Sequence, residues 1–161
     1  MKVEWLHHTG FNVSNMDQSL EFYRGLLGLE VTRDFVFEGE TLDKLGGIPH
    51  SKAHLVFLGN GDGRHFLELV EWLSPAGTPA NSTPINDVGV SHLGLQIDDA
   101  DRFYSELSSK GVRFTTDSPV TREDAIYPAA RKICFLQDPD GNRIEFLEIA
   151  PAPERRILQR R

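Results

Sequence analysis

Apolar residues recur along this chain at two periods, and the order of the periods repeats. From His8 the segment HTGFNV alternates apolar and polar positions, as HLGLQI does from His92, so each opens as a half-buried strand. A short polar link follows each, then apolar residues at helical spacing: Met16, Leu20, Tyr23 and Leu27 in the first copy, Ala100, Phe103 and Leu107 in the second. Gly28 and Gly111 stand just past the last apolar turn, where a left-handed C-terminal cap favours glycine. Extended runs follow, LEVTRDF and VRFTTD.

The correspondence continues to the end of each copy. HLVFLGNGDGRHFLELVE parallels KICFLQDPDGNRIEFLE, which matches Phe57 with Phe135 and Glu68 with Glu145. Asp62-Gly63 and Asp140-Gly141 sit between apolar runs and predict hairpin turns that need positive φ. The expected class is therefore α+β, built from two βαβββ modules over residues 4–73 and 89–149. The proline-bearing stretch 74–88 breaks both periods and reads as a linker, and 150–161 is a basic tail, ERRILQRR at its end, to which no function is assigned.

Alternation also decides which way the polar side chains face. Phe11 and Val13 share the core face of the first strand, as Leu93, Leu95 and Ile97 do in its copy, so His8 and His92 face the other way. By the same alternation His7 is expected to point opposite to His8. Gly10 and Gly94 leave room beside each imidazole. The last strand of each copy carries Glu-x-x-Glu, and because three is odd only one glutamate of a pair can join the histidines. Glu68 and Glu145, tightly flanked by apolar residues, are the buried candidates; Glu71 and Glu148 lie nearer the strand ends. A carboxylate in such a strand is costly unless a cation or strong hydrogen bonds stabilise it, and its pairing with a repeat-related histidine points to a cation. His50, His54 and His65 have no counterpart in the second copy and are assigned surface or loop roles.

Composition narrows the partners. Seventeen basic against 24 acidic side chains give a formal charge of −7, which disfavours a nucleic-acid partner. The chain holds no apolar run long enough to span a membrane and no signal-like start, so a cytoplasmic protein without a membrane partner is expected. Cys134 is the single cysteine, so no internal disulfide can form and any metal must be held by histidines and carboxylates.

The segments LHHTGFNVSNMDQSLEFYRGLLGLEV, FLELVE, SHLGLQIDDADRFYSELSSKGVRF and DPDGNRIEFLE resemble the vicinal oxygen chelate superfamily over about residues 4–149. That superfamily includes glyoxalase I, methylmalonyl-CoA epimerase, extradiol dioxygenases and the bleomycin and fosfomycin resistance proteins. The resemblance implies a half-open barrel around a divalent metal (nickel, zinc, cobalt, manganese or iron), held by His8, Glu68, His92 and Glu145. Two imidazoles and two carboxylates suit such an ion without selecting among them. Four protein ligands leave two octahedral positions for adjacent substrate oxygens, so the expected reaction is proton transfer next to a carbonyl through a metal-stabilised enediolate. Glu145 is the expected base and Glu68 its counterpart.

The ligand set His, Glu, His, Glu looks like that of bacterial glyoxalase I, and the expected activity is a metal-dependent lyase or isomerase on a small carbonyl compound or thioester. The alternatives are an acyl-CoA epimerase, whose family usually has glutamine at the place of Glu68; an extradiol-type dioxygenase, which uses two histidines and one carboxylate on ferrous iron; and a non-catalytic drug-binding protein. Arg24, Arg33, Lys52, Arg122 and Arg131 are candidate anchors for an anionic group. The loop EGETLDKLGGIPHSK (38–52) resembles the variable region that shapes substrate pockets, and TREDAIYPAARK, with Tyr127, is expected to cover the cleft. The family implies a homodimer.

Overall fold

The computed structural model describes residues 2–63, 65–78, 84–121 and 130–149. These form two compact units: one runs to Val90 and includes the turn Asp138–Asn142, and the other takes the remainder from Ser91. Each is a βαβββ module carrying one open sheet, the α+β class expected from the repeat. Arg122, Tyr127, most of the loop around it, the centre of the linker and the C-terminal tail lie outside the described residues.

The first unit runs β1 (His8–Asn12), α1 (Met16–Leu20), a π-helical turn (Glu21–Leu26), β2 (Glu30–Glu38), α2 (Glu40–Gly46), β3 (Lys52–Gly59) and β4 (Phe66–Ser74). Its sheet order is β1-β4-β3-β2, with β1 parallel to β4 and the other pairs antiparallel. Asn15 starts α1 by accepting a hydrogen bond from the Gln18 backbone at 3.0 Å. The helix then departs from the predicted stripe. Leu27 N–H bonds back five residues to Phe22 at 3.0 Å, widening the last turn. That rotation buries Phe22 and Tyr23 beside Met16 and leaves Leu20 and Leu27 only half-buried.

Phe11, Val13, Val56, Leu58, Leu67 and Leu69 complete this core, each buried apolar side chain contributing about 1.5–3 kcal/mol. The segment 38–52 is not a plain loop: it contains α2, whose Leu42 packs with Ala53 and Leu55 and against Phe37, Val70 and Trp72. Alternation puts those sheet residues on the same face as Glu68, so α2 covers part of the face opposite α1.

The second unit runs β5 (His92–Ile97), α3 (Ala100–Ser109), β6 (Arg113–Phe114), β7 (Val120–Thr121), β8 (Ala130–Gln137) and β9 (Arg143–Ile149), in the order β5-β9-β8-β6 with β7 also on β8. Asp99 caps α3 through the Arg102 backbone (2.9 Å), and Glu148 accepts from the Ala100 N–H at 3.0 Å, which gives the outer glutamate of its pair a structural partner. Leu93, Ala100, Leu107, Cys134, Leu136, Ile144 and Phe146 form the core. Burial pushes the Cys134 thiol up to about 11, so it is an inert packing residue.

Both predicted hairpin turns are present, with Gly63 and Gly141 at φ of 69° and 89°. The second is elaborately pinned. One oxygen of the buried Asp138 accepts from the backbones of Asp140 (3.0 Å) and Asn142 (2.7 Å), and the other accepts from the Tyr23 hydroxyl and the Asn142 amide, both at 2.9 Å. Burial raises the Asp138 carboxyl above its ordinary range against the opposing pull of these hydrogen bonds.

Candidate metal centre

The parallel pairing of first and last strands builds the same pair of side chains in each unit. In the first, β1 lies beside β4 with Gly10 opposite Glu68, and His8 Nε2 comes within 3.4 Å of Glu68 Oε2. In the second, β5 lies beside β9 with Gly94 opposite Glu145, and His92 Nε2 lies 3.1 Å from Glu145 Oε2. Gly10 matters because a Cβ there would stand 3.3 Å from Glu68 Oε2; one at position 94 would make only ordinary contacts, 3.4 Å from Leu147 Cδ1 and 3.9 Å from Glu145 Oε2. The carboxylates are 16% and 17% exposed and the imidazoles 40% and 45%, so both pairs present a shielded oxygen and an open nitrogen.

A phenylalanine braces each histidine. Phe57 meets the His8 ring edge-on at 5.8 Å, and Phe135 meets His92 at 5.3 Å. Cross-strand register places Phe57 opposite Glu68 and Phe135 opposite Glu145. Each half is thus a row of glycine, glutamate and phenylalanine across three strands, with the histidine two residues before the glycine on the first strand.

The donor chemistry of each pair fits a divalent ion. With metal–nitrogen and metal–oxygen bonds of about 2.1 Å, neighbouring ligands at right angles stand about 3.0 Å apart; the observed separations of 3.4 and 3.1 Å lie just above that value. Each unit therefore carries a two-donor half-site. Among the described residues no group of three or more His, Cys, Asp or Glu side chains could hold a metal.

One contribution escaped the alternation argument. His7 precedes β1, so strand alternation does not reach it; it is not directed away from His8 but meets it, with the two Nδ1 atoms 2.7 Å apart. One of these nitrogens must donate to the other. With His8 as donor, its Nε2 is left unprotonated toward Glu68, the tautomer a ligand needs. The second copy has Ser91 at this place. Two adjacent histidines were the only sequence signal.

The other histidines take separate places. His54 lies in β3 rather than in a loop, with Nε2 2.7 Å from Asp34 and Nδ1 3.8 Å from Glu71, which ties the outer glutamate of the first pair to this cluster. His65 Nε2 is 3.1 Å from the Thr9 hydroxyl, and the His50 backbone donates to Asp43 after α2. Of the candidate cations, Lys52 pairs with Glu38 at 3.1 Å, Arg24 lies on the π-helical turn, Arg131 is exposed on β8, and Arg33 lines a cavity. That cavity, about 310 Å³, is bounded by His7, Thr32, Arg33, Phe57, Gly61, Gly63 and Phe66. It shares Phe57 with the His8 half-site.

With this geometry in place the comparisons are specific. The profile of the Glyoxalase/Bleomycin resistance protein/Dioxygenase superfamily matches residues 5–146, and the chain belongs to that superfamily. A lactoylglutathione lyase of Neisseria meningitidis serogroup A is 26% identical over 148 residues, 89% of each protein. A probable chloroplastic lactoylglutathione lyase of Arabidopsis thaliana is 28% identical over 149 residues, and the matched region spans 91% of this chain but 36% of that longer one. Among solved structures, a glyoxalase family protein from Bacillus cereus superposes with a TM-score of 0.80 at 20% identity, covering 94% of this chain and 97% of the other, a likeness of fold. Among the described residues no helix is long and apolar enough to cross a membrane.

Proposed function

We propose that this protein is a divalent-metal-dependent lyase or isomerase of the glyoxalase I type, acting on a small carbonyl compound or thioester. The observation that carries the reading is the repeated histidine–glutamate pair, at 3.4 and 3.1 Å, each on the same strands of its unit and each beside a glycine. His8, Glu68, His92 and Glu145 would hold the ion, which when bound supplies Lewis-acid stabilisation for negative charge developing on a carbonyl oxygen.

The chain's own part is the proton. Glu145 is the base that moves the proton next to the carbonyl, and Glu68 is its counterpart on the other face of the substrate. Both carboxylates are shielded, at 16% and 17% exposure, which limits the water that reaches them. Phe57 and Phe135 hold the imidazoles edge-on and offer flat apolar surface to a substrate. We place this activity in a cytoplasmic homodimer, for which a lone buried thiol and no internal disulfide is compatible support.

The test is metal content of untagged protein by elemental mass spectrometry, with His8→Ala alongside, followed by turnover of hemithioacetals, acyl-CoA thioesters and catechols with the metal found. Near-stoichiometric metal lost in the variant, with turnover of a hemithioacetal, is the expected result. Absence of metal after reconstitution with nickel, zinc, cobalt, manganese and iron overturns it in favour of a binding protein.

A further inference from the structure

The two half-sites share three positions of their cross-strand row and part company at the fourth. In the first unit the row Gly10, Glu68, Phe57 continues onto β2 at Arg33, which register places directly opposite Phe57. In the second, Phe114 pairs with Leu136 as Val31 pairs with Leu58, and the residues that follow are Thr115 and Thr116. Thr115 donates its backbone N–H to Phe135 at 2.8 Å, and the Thr116 hydroxyl donates to the Ser118 carbonyl at 2.7 Å. A cation therefore ends one row and neutral threonines end the other.

The surroundings of Arg33 suit an anion rather than a structural ion pair. Val31 and Arg33 flank a register shift in the β2–β3 ladder, and Arg33 with Thr32, Phe57, Phe66 and His7 lines the cavity of about 310 Å³. Phe57 is stacked on Phe35 at 6.4 Å and 11° and stands edge-on to Phe66, so the floor between Arg33 and Glu68 is aromatic. Two strand spacings separate the Arg33 and Glu68 backbones, about 10 Å, a span that a small molecule bridges. Among the described residues no carboxylate is paired with the guanidinium.

We propose that Arg33 is a specificity-determining anchor that selects substrates carrying a carboxylate, held at the far end of a flat or apolar span that lies over Phe57. The inference rests on the reading that Glu68 and His8 belong to the reacting centre. It assigns a polarity to an otherwise repeated site: the carboxylate end faces β2, and the reacting carbonyl faces β1 and β4. A guanidinium holds a carboxylate through two parallel hydrogen bonds, which an amide of the same shape cannot reproduce.

The test is titration of the full-length protein with 4-phenylbutanoate and with its neutral counterpart 4-phenylbutanamide, followed by calorimetry and by the Arg33 side-chain NMR signal. Wild type is expected to bind the carboxylate about 10-fold more tightly than the amide. Arg33→Met should abolish that preference while leaving amide binding unchanged, and Arg33→Lys should restore part of it. Equal binding of the two probes, no binding of the carboxylate, or equal loss of both probes in Arg33→Met overturns the proposal. Metal uptake by the wild type separates the two readings: a carboxylate preference that Arg33→Met abolishes, in wild-type protein that takes up no metal on reconstitution, would sink the metal chemistry and leave the anion site standing.

Discussion

His8 with Glu68 and His92 with Glu145 are two solutions to the same local problem, and their likeness is as informative as their differences. Both pairs come from a parallel first-and-last strand pairing, both set a glycine opposite the carboxylate, and both lean on a phenylalanine. The first adds His7 behind its imidazole, Arg33 at the end of its row and α2 on its face; the second has Ser91 in place of His7 and two threonines at the end of its row. Chemistry that needs two like donors is served by what is repeated. Discrimination between the ends of a substrate requires what is not.

The sharpest way to break the comparison is to neutralise the two carboxylates separately. Glu145→Gln is expected to lower turnover by about 100-fold or more, the usual contribution of a general base, with Glu68→Gln less damaging. Equal losses would mean that both glutamates move protons, as in an epimerase, and a larger loss at Glu68 would reverse the assignment.

His7 tests whether the asymmetry behind the imidazoles matters. His7→Phe should weaken metal binding by about 10-fold, at the lower end for loss of a partner that orients a ligand, as measured by calorimetric titration with nickel. An unchanged affinity would show that His8 needs no partner at its Nδ1 to bind metal.

The two hairpin turns offer a comparison in stability. Tyr23→Phe removes a buried donor from the Asp138 carboxylate and should cost about 1–3 kcal/mol in urea denaturation. Asn60→Ala, which removes a single 3.2 Å acceptor for the Asp62 backbone in the matching turn, should cost less than about 1 kcal/mol. Reversed magnitudes would show that the first turn, not the second, is the more tightly fastened.

The smallest effect is a pH dependence. The folded Asp138 carboxyl titrates above its unfolded value of about 3.9, so its stabilisation is full below that pH and declines as pH rises through the folded value. Asp138→Asn is therefore expected to be more destabilising at pH 3.5 than at pH 7. A difference that grows with pH would mean that the hydrogen bonds from Tyr23 and Asn142 outweigh burial.

Much of this was legible in the residues because the repeat made each inference twice. Period-two alternation sent His8 and His92 to one face, and glycine at 28, 63, 111 and 141 marked turns that do adopt positive φ. What resisted reading shares a physical cause. The π-helical turn, the α2 cover and the seating of His7 depend on contacts distant in sequence or on positions just outside a strand, where period carries no information. Nothing in the local pattern marks Asp138, because its partner Tyr23 lies 115 positions away.

Local pattern alone determined the modules, their duplicated strands and the residue types available for chemistry, since alternation, helical spacing and turn conformation are properties of short segments. Tertiary structure alone decided the separations of 3.4 and 3.1 Å, the shielding of the carboxylates and the row that runs from Gly10 through Glu68 and Phe57 to Arg33. Strands distant in sequence become neighbours only when the sheet assembles, and register then chooses which of their side chains meet.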